Sequence, residues 1–592
     1  MTIAVDPAII RAAENPMIAA GAPDQLMQQA AKHLASAIRC VAEKHSCQRV
    51  VVVAGGGGNG GDGLYAGGYL AESGYSVSAI CWHPSGKLHE SAAQAARQAG
   101  CAVHIRDALA ETLSSGDGFI LVDAIQGLGS SPLSLKDATD WARLAGQASA
   151  VVAVDLPTGV CASTGAAPSS HTLASGQKLA AHVSADYTVT FGALRTAHAV
   201  SPDCGETVLA DIYGPAGESL FEAVVAETLS RSAPDSAATA DESAALLLNS
   251  VDCFVAVDHT SWEDPLSRVA RHVLQSFEPK PTDHKYSGGV VGVVAGSGKY
   301  PGAAVLSSLA AAKTTPSLVR YFGECAAEVV RAVPELIVND KADPETLLQT
   351  SDQVAAWVFG PGVGVTPESE AALAALLRGE RPLLIDADGL TLLAGSTNLR
   401  QLLRQRAAVT LLTPHDGEFN RVNAAVSADL AADIAADGNS LVESALTQSN
   451  PDEDVHAHGF DLLADRVSAI RSLAKQLGAS VLLKGRKTLV CSPLGEVTSV
   501  DAGHSWAATA GSGDVLAGLL GALLAKDAGA DVSGTVFFPQ NTTPYPQLTV
   551  AAGVSVHARA AWLAAQTPYG AAPITASDIA RTIPAAIADS HS

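Results

Sequence analysis

The sequence predicts an α/β protein made of two domains, each with a parallel β-sheet between layers of helices. Short apolar runs alternate with amphipathic helical segments in both halves of the chain, which is the pattern of consecutive βαβ units. Several apolar runs end in a glycine-rich or aspartate-containing turn, as buried parallel strands often do. At 592 residues the chain is also longer than one hydrophobic core usually serves.

The composition favours a globular protein that acts on small molecules. Hydrophobic residues make up 47% of the chain and charged residues only 16%, which excludes global disorder. The formal net charge of -23 repels nucleic acids and anionic membrane surfaces, so we expect neither as a partner. Small anionic ligands remain allowed, because backbone N–H groups at helix N-termini bind them locally.

The nine cysteines are scattered without a CxxC pair and predict neither a disulfide framework nor a zinc site. The N-terminus carries charges and has no apolar run of the kind found in signal peptides. No uninterrupted stretch of about 18 apolar residues occurs, so no membrane span is predicted. A cytoplasmic location follows by default, and the sequence leaves a homo-oligomer open.

The first series of elements begins with an amphipathic helix at residues 24–45 and a buried strand at Val50–Val53. The glycine-rich stretch Gly55–Gly63 follows as a predicted turn and leads into a helix. Further strands are predicted in YSVSAICW, DGFILVDAI, SAVVAVDLPTG and ADYTVTFG, and helices in HESAAQAARQAG and SLKDATDWARLAG. We place the first domain at residues 1–225 and a linker or peripheral segment, rich in Ala, Ser and Asp, at 226–249.

A second α/β region begins near His284, within a domain that we place at residues 250–592. Its strands are predicted in GGVVGVVAGS, AAWVFGPGVG, RPLLIDADGL, AAVTLLTPH and SVLLKG. Residues 424–457 interrupt the pattern and are interpreted as a surface insertion with some helix. Residues 535–547 are interpreted as a second, loop-like insertion.

Three strand ends in the first domain carry groups that can form a site. Because ligands bind beyond the carboxyl ends of parallel strands, Gly55–Gly63, Asp123 and Asp155 are expected to line one crevice. Glycines let a backbone approach a phosphate, although a structural tight turn explains them as well. A carboxylate at a buried strand end suits proton transfer or cation binding, and the alternative for either aspartate alone is a helix N-cap.

The segments GGNGGDG, VDAIQGLG, VDLPTG and ADYTVTFG, in this order, resemble the NAD(P)H-hydrate epimerase family. The resemblance implies a Rossmann-like fold, a potassium ion beside the substrate, and Asp155 as the catalytic acid and base. It implies potassium ligands at Asn59, Asp123 and Thr158, hard oxygen donors that suit an alkali cation. The implied substrate contacts, besides Asp155, are Gly58, Asn59, Gly60, Gly61, Asp62, Gly127, Leu128, Gly129, Ser130, Ser131, Pro132 and Leu133.

Three positions depart from the pattern of that family. Gly58 stands where Asn is usual, Thr158 where Ser is usual, and Leu194–Arg195 where Lys is common after TVTFG. Either hydroxyl residue can bind a cation. Gly58 leaves open the alternative that the first domain is a binding scaffold without epimerase activity.

The segment AATAGSGDVLAGLL, residues 507–520, is the most specific motif in the chain. Ala, Gly and Ser crowd a turn before an apolar helix, so successive backbone N–H groups are expected to form an anion hole at the helix N-terminus. Asp514 lies beside this hole, placed to accept a proton from a hydroxyl that attacks a phosphoryl group. The plainer alternative is a glycine-rich helix start without a ligand.

This GxGD motif resembles the ribokinase-like superfamily, and further segments narrow the resemblance. YSGGVVGVVAGSGKYPGAAVLSSLAAAK, FGPGVG, LIDADGL, TPHDGEF and KGRKT occur in order and are similar to the ADP-dependent NAD(P)H-hydrate dehydratase family. The resemblance implies contacts with the hydrated cofactor from Ala303, Gly362, Gly364, His415 and Asp514, and with the adenine nucleotide from Lys484, Gly485, Arg486, Lys487, Thr488 and Gly513. The departures are the segment KTTPS at Lys313–Ser317, where a glycine-rich turn is usual, and Ala510, where Gly is usual.

Together the two resemblances imply a bifunctional enzyme that repairs NADHX and NADPHX, the hydrated forms of NADH and NADPH. The first domain would interconvert the R and S epimers at C6 of the nicotinamide ring. The second would phosphorylate the S epimer from ADP and eliminate phosphate, giving NAD(P)H and AMP, with Mg²⁺ bridging the phosphates. The alternative is a ribokinase-like vitamin or small-molecule kinase fused to a non-catalytic Rossmann-like domain, which would release a stable phosphoester.

Overall fold

The computed structural model describes residues 3–83, 85–106, 118–129, 131–232, 254–258, 279, 281, 283–315, 317–436, 462, 464–529 and 547–589. The chain divides into two compact units. One contains Thr2–Phe254 with Leu463–Arg466, and the other contains Val255–Leu462 with Val467–Ser592. Each unit combines a largely parallel sheet with helices, so the predicted α/β class is confirmed.

The first unit alternates strands and helices along most of its length. Its strands are β1 (Ile3–Val5), β2 (Arg49–Ala54), β3 (Ser76–Cys81), β4 (Ala102–Ile105), β5 (Phe119–Ala124), β6 (Ala148–Val154), β7 (His171–Thr172), β8 (Lys178–Leu179), β9 (Tyr187–Phe191), β10 (Leu194–Arg195) and β11 (Glu206–Ala210). Its helices are α1 (Pro7–Ala20), α2 (Gln25–Lys44), α3 (Gly58–Glu72), α4 (Glu90–Gln98), α5 (Leu135–Ala145), α6 (Thr196–Val200) and α7 (Leu220–Ser232).

The main sheet of the first unit has the strand order β11-β9-β6-β5-β2-β3-β4, and every pair in it is parallel. The order reverses between β2 and β5, which creates the crevice where ligands bind in Rossmann-like sheets. Both strands are buried along nearly their whole length, because helices cover both faces. Separately, β1 pairs in parallel with β10 and places Val5 opposite Arg195.

Helix α3 begins at Gly58, earlier than predicted, so Gly58–Gly63 is helical rather than a turn. Close packing explains the glycines in this segment. A Cβ atom on Gly60 would lie 2.0 Å from the carbonyl oxygen of Gly55, and one on Gly63 would lie 2.5 Å from Cβ of Ala124. The glycines therefore bring the start of α3 against the ends of β2 and β5, where the crevice opens.

The second unit has a similar alternation. Its strands are β12 (Phe254–Asp258, whose first residue belongs to the first unit), β13 (Val291–Val294), β14 (Val319–Phe322), β15 (Ile337–Asn339), β16 (Ala356–Phe359), β17 (Leu383–Ile385), β18 (Thr410–Leu412), β19 (Ser480–Leu483), β20 (Lys487–Cys491), β21 (Val497–Asp501), β22 (Gln566–Thr567) and β23 (Gly570–Ala571). Its helices are α8 (Pro301–Thr314), α9 (Ala326–Ala332), α10 (Pro344–Thr350), α11 (Pro367–Arg378), α12 (Asp388–Gly395), α13 (Thr397–Gln405), α14 (Asp416–Ala436), α15 (Arg466–Leu477), α16 (Ser512–Gly529), α17 (Gln547–Ala565) and α18 (Ala576–Asp589).

The sheet of the second unit runs β21-β20-β19-β18-β17-β16-β13-β14-β15. It is parallel from β19 to β15, and β20 and β21 join it as antiparallel strands. Helix α16 packs closely on α8, since a Cβ atom on Gly518 would lie 2.1 Å from the carbonyl oxygen of Ser307. The predicted strands of both regions are present. The strands that were not predicted are β1, β4, β7, β8, β10, β11, β12, β14, β15, β20, β21, β22 and β23.

Parts of three sequence predictions lie outside the described residues: 233–249 of the linker, 437–457 of the first insertion and 535–546 of the second. Helix α7 continues through residue 225 to Ser232, and α14 forms the start of the first insertion. The domain limits 1–225 and 250–592 remain a prediction.

Within the described ranges, α17 is long and apolar enough to cross a membrane. The structure buries 72% of this apolar stretch inside the protein. Core helices pass the same test of length and composition.

Candidate active sites

Asn59, Asp123 and Thr158 belong to one hydrogen-bonded network at the crevice of the first unit. Thr158 donates twice to Asp123, from its N–H to Oδ2 at 2.7 Å and from its hydroxyl to Oδ1 at 2.8 Å. Asn59 Nδ2 donates to the carbonyl oxygens of Val154 at 2.6 Å and Gln126 at 3.3 Å. The N–H of Gln126 donates to the Thr158 hydroxyl at 3.2 Å, which links the three predicted potassium ligands.

Asp123 is fully buried, and burial raises the pKa of its carboxyl group to about 6. Hydrogen bonds from Thr158 and from the N–H of Ile125 favour the ionised form but offset this only in part. Within the described part of the chain, no lysine or arginine forms an ion pair with Asp123. An enclosed carboxylate without a cationic side chain suits a bound cation.

The predicted contact loop Gly127–Leu133 lies against the same network. A Cβ atom on Gly127 would lie 2.5 Å from Oδ1 of Asn59, so this glycine allows the loop its close approach. Leu133 is buried in the hydrophobic core and anchors the end of the loop. Ser130 lies outside the described residues.

Asp155 directly follows β6 and is only 6% exposed. Its Oδ1 lies 2.8 Å from Nη2 of Arg195 and accepts a hydrogen bond from the Thr190 hydroxyl at 3.1 Å. Its backbone carbonyl lies 2.7 Å from Nε2 of His198. Arg195 is thus in direct contact with the predicted catalytic carboxylate.

Two further carboxyl groups, those of Asp62 and Glu14, have raised pKa values near this pair. Burial raises the pKa of Asp62 well above its usual range, and the charges of Asp155 and Glu14 add to the shift. Burial also raises the pKa of Glu14, while Arg195 opposes that shift. Arg195 is therefore the cation that opposes the raised pKa values of both carboxyl groups.

In the second unit, Asp514 lies in the first turn of α16, which begins at Ser512 after the left-handed Gly511 with φ +84°. Burial raises the pKa of Asp514 to about 6. The carboxylate of Asp386 adds to this shift and the cation of Lys484 opposes it. A carboxyl group that titrates near neutral pH is suited to general base catalysis.

The start of α16 is supported by a buried histidine. His557 of α17 has Nε2 at 3.1 Å from the carbonyl oxygen and 3.2 Å from Oγ of Ser512. Burial lowers the pKa of His557 to about 4, so the imidazole is neutral at physiological pH. It therefore fixes the first turn of α16 without adding charge.

Two side chains at strand ends, Asp386 after β17 and Lys484 after β19, lie near this helix N-terminus together with Glu418 from the first turn of α14. Nζ of Lys484 lies 2.7 Å from Oδ1 of Asp386 and 3.8 Å from Oε2 of Glu418. Glu418 also accepts a hydrogen bond from the N–H of His415 at 2.9 Å. A Cβ atom on Gly513 would lie 3.4 Å from Nζ of Lys484, so the cation lies against the proposed anion hole.

The rest of the predicted nucleotide segment is held within the fold. Nζ of Lys487 lies 2.7 Å from Oδ2 of Asp501, and Nε of Arg486 lies 3.4 Å from Oδ1 of the same carboxylate. The Thr488 hydroxyl donates to the carbonyl oxygen of Gly485 at 2.9 Å. These side chains shape the turn after β19 rather than extend from it.

The predicted contacts Gly362, Gly364 and Ala303 lie beside the site. Both glycines adopt left-handed φ angles of +65° and +80°. A Cβ atom on Gly362 would lie 2.9 Å from Cβ of Ala303, and the N–H of Gly364 donates to Asp388 Oδ2 at 2.9 Å. Asp388 is near enough to Asp514 to contribute to its raised pKa, which connects this group to the base.

Four side chains that contact the predicted residues were not themselves predicted as site residues: Arg195, His198, Asp386 and Glu418. Asp386 directly follows β17. Ligands bind beyond the carboxyl ends of parallel strands, and the reasoning that indicated Asp123 would therefore have indicated Asp386 as well. No sequence signal distinguishes His198, because its role depends on contacts made between distant segments.

Comparison with known sequences assigns both units. The family described as NAD(P)H-hydrate dehydratase matches residues 291–585, and the family described as YjeF-related protein N-terminus matches residues 23–197. A bifunctional NAD(P)H-hydrate repair enzyme from Corynebacterium glutamicum is 38% identical and aligns over 98% of this chain and 97% of that protein. The chain belongs to the bifunctional NAD(P)H-hydrate repair enzyme family. An enzyme of the same description from Mycobacterium leprae is 35% identical over 98% of both chains.

Membership of the bifunctional NAD(P)H-hydrate repair enzyme family confirms the predicted enzyme class, an epimerase joined to a dehydratase. The alternative of a vitamin kinase fused to a non-catalytic domain is not supported.

An ADP-dependent (S)-NAD(P)H-hydrate dehydratase from Neisseria meningitidis is 32% identical over 42% of this chain and 74% of that protein. A crystal structure of ADP/ATP-dependent NAD(P)H-hydrate dehydratase from Bacillus subtilis, co-crystallised with ATP and Mg²⁺, is 22% identical, with a TM-score of 0.39, over 54% of this chain and 97% of that chain.

Proposed function

We propose that the first unit interconverts the R and S epimers of NADHX and NADPHX, with Asp155 as the proton-transfer group. The pairing of Asp155 with Arg195 supports this role, because the guanidinium holds the carboxylate in a fixed orientation at the end of β6. Burial raises the pKa values of the nearby carboxyl groups of Asp62 and Glu14, which makes these two side chains the candidates for the acid. The site therefore brings together candidates for the base and the acid that epimerisation at C6 requires.

Potassium is assigned to Asn59, Asp123 and Thr158. Amide, carboxylate and hydroxyl oxygens fit an alkali cation, and Asn59 uses Nδ2 for its carbonyl partners, which leaves Oδ1 for the ion. A bound potassium ion would neutralise the enclosed Asp123 and attract the anionic part of the substrate.

The second unit dehydrates the S epimer with ADP in this proposal. Asp514 accepts the proton of the 6-hydroxyl as its oxygen attacks the terminal phosphoryl group of ADP, and AMP leaves. The C6–O bond of the phosphate ester then breaks with loss of a proton from C5, which releases phosphate and restores the dihydropyridine. Lys484 and the N–H groups at Gly511–Gly513 offset the charge that develops on the transferring phosphoryl oxygens.

Magnesium is assigned to the phosphates of bound ADP rather than to a protein cage. Across the described residues, no group of three His, Cys, Asp or Glu side chains is arranged to hold a metal ion. Mg²⁺ commonly binds through substrate phosphates, retained waters and one or two carboxylates, so such a cage is not required.

The observation that carries the proposal is Asp514 at the N-terminus of α16 with Lys484 beside it. The test is incubation with mixed NADHX epimers and either ADP or ATP, with the absorbance of the reduced nicotinamide as the readout. Chiral separation of the epimers without nucleotide measures the first activity alone. Recovery of a stable phosphoester instead of NADH and AMP would contradict the dehydratase.

A cytoplasmic location is part of the proposal. None of the eight cysteines in the described ranges forms a disulfide, and six of them are buried. Cysteines without disulfides are typical of proteins kept in a reducing compartment.

A further inference from the structure

Asp155 has an unusual backbone conformation for a residue with a side chain. Its φ of +65° lies in the left-handed region, which favours glycine, and it immediately follows the buried strand β6. Such a conformation persists when surrounding contacts fix it, and residues of this kind cluster at active sites. The contacts that fix Asp155 come from β9 and from the segment that follows it.

The imidazole of His198 bridges two backbone groups. Its Nδ1 accepts a hydrogen bond from the N–H of Arg195 at 2.9 Å, and its Nε2 lies 2.7 Å from the carbonyl oxygen of Asp155. Because a backbone N–H can only donate, Nδ1 is the acceptor and the ring proton is on Nε2. His198 is 2% exposed, so it is a fixed link between these residues.

The guanidinium of Arg195 forms the second link. Nη2 lies 2.8 Å from Oδ1 of Asp155, and Nη1 donates to the Thr190 hydroxyl at 2.5 Å. That hydroxyl donates to the same Oδ1 at 3.1 Å, which closes a triangle of polar groups. Arg195 is itself held by the pairing of β10 with β1, where Val5 lies opposite it.

The two links act on different parts of Asp155. His198 holds the carbonyl, and Arg195 with Thr190 occupies one carboxylate oxygen, Oδ1. Oδ2 accepts no hydrogen bond from the described part of the chain, so it is the oxygen left for a substrate.

We propose that Arg195 and His198 are positioning residues that clamp Asp155, so that Oδ2 is presented for proton transfer in the epimerisation. The inference rests on the proposed role of Asp155 as the proton-transfer group. It predicts that breaking either link slows the proton-transfer step while substrate still binds, since neither residue is required to touch the substrate.

Two pairs of variants test the clamp in the full-length enzyme. His198→Leu removes both hydrogen bonds, whereas His198→Gln keeps one donor and one acceptor. Arg195→Met removes the cation, whereas Arg195→Lys keeps it. We expect His198→Leu and Arg195→Met to lower kcat for epimerisation by about 10–100-fold with KM within about twofold of wild type, and the conservative partners to recover most of the loss.

Epimerisation is measured by chiral separation without nucleotide, after subtraction of the enzyme-free rate, and thermal unfolding reports whether each variant folds.

Asp155→Asn is measured in parallel. If Asp155→Asn epimerises normally, the proposed role of Asp155 is wrong. If it is impaired but Arg195→Met and a folded His198→Leu retain normal kcat, the clamp is wrong. A rise in KM with unchanged kcat would also overturn the clamp and indicate direct binding. Should His198→Leu fail to fold, the Arg195 pair decides the outcome.

Discussion

Nζ of Lys484 lies 2.7 Å from Oδ1 of Asp386, and the two side chains are only 20% and 2% exposed. Burial alone would lower the pKa of Lys484, but the carboxylates of Asp386 and Glu418 raise it above its usual value. The lysine therefore keeps its charge beside Asp514, where the phosphates of the nucleotide are proposed to bind.

Replacing Lys484 by methionine should destabilise the second unit as well as weaken nucleotide binding. The change leaves Asp386 enclosed and unpaired, which we expect to reduce the free energy of unfolding by about 3 kcal/mol in urea titrations. Arg581→Met is the matched control, because its pair with Asp578 is 66% and 44% exposed. The control should change stability by less than about 0.5 kcal/mol, and equal effects of both variants would refute the argument.

Asp514→Asn should lower ADP-dependent loss of S-NADHX by about 10²–10⁴-fold, the usual contribution of a positioned general base. Asparagine keeps the size of the side chain but cannot accept the hydroxyl proton. Nucleotide binding, measured by calorimetry, should persist because Lys484 and Gly513 are unchanged, and epimerisation should persist because it belongs to the other unit. Near-normal turnover would remove Asp514 from the chemistry.

The dehydratase should lose activity as the pH falls through about 6. Burial raises the pKa of Asp514 to about 6, and a base must be ionised, so activity is present above that pH and lost below it. We expect kcat/KM to fall about tenfold per unit well below the pKa. Phosphate groups of ADP titrate in a similar range, so the residual activity of Asp514→Asn is the reference. An identical acidic limb in that variant would assign the limb to the nucleotide.

Epimerisation should depend on potassium bound in the first unit. Dehydration of the pure S epimer, which takes place in the second unit, should not depend on that potassium site. Replacing K⁺ by tetramethylammonium should slow epimerisation, and restoring K⁺ should recover it. Asp123→Ala should abolish this response, because it removes the charged ligand and the acceptor of two Thr158 hydrogen bonds. Thr158→Ser retains a hydroxyl ligand and should keep the response. A potassium response that survives in Asp123→Ala would place the ion elsewhere.

Gly518→Ala should destabilise the second unit by about 1–3 kcal/mol or more, the typical range for overpacking. The added Cβ would lie 2.1 Å from the carbonyl oxygen of Ser307, a backbone atom that cannot move without displacing α8. Gly302→Ala is the control, since nothing lies within 4 Å of its added Cβ. Differential scanning calorimetry should show a lower Tm for the first variant and an unchanged or slightly higher Tm for the second.

Local periodicity predicted the strands that form the sites, because a buried parallel strand is recognisable from a few consecutive apolar residues. The same rule indicated Asp123 and Asp155 through their positions at strand ends. It was wrong about Gly58–Gly63, which is helical. Glycine is used both in turns and where a helix must approach a neighbour closely, and the neighbour of Gly60 is not visible in a local pattern.

The sequence by itself determined the α/β class, the ends of the buried strands, the two glycine-rich motifs and the carboxylates that accompany them. These features depend on residues close together in the chain, and the segment order was enough to indicate the family. Only the tertiary structure decided that Arg195 and His198 hold Asp155, and that Lys484 pairs with Asp386, 98 positions away. Long-range polar contacts are set by how strands align in a sheet and how the chain crosses over between them, and a single sequence carries no local signal for them.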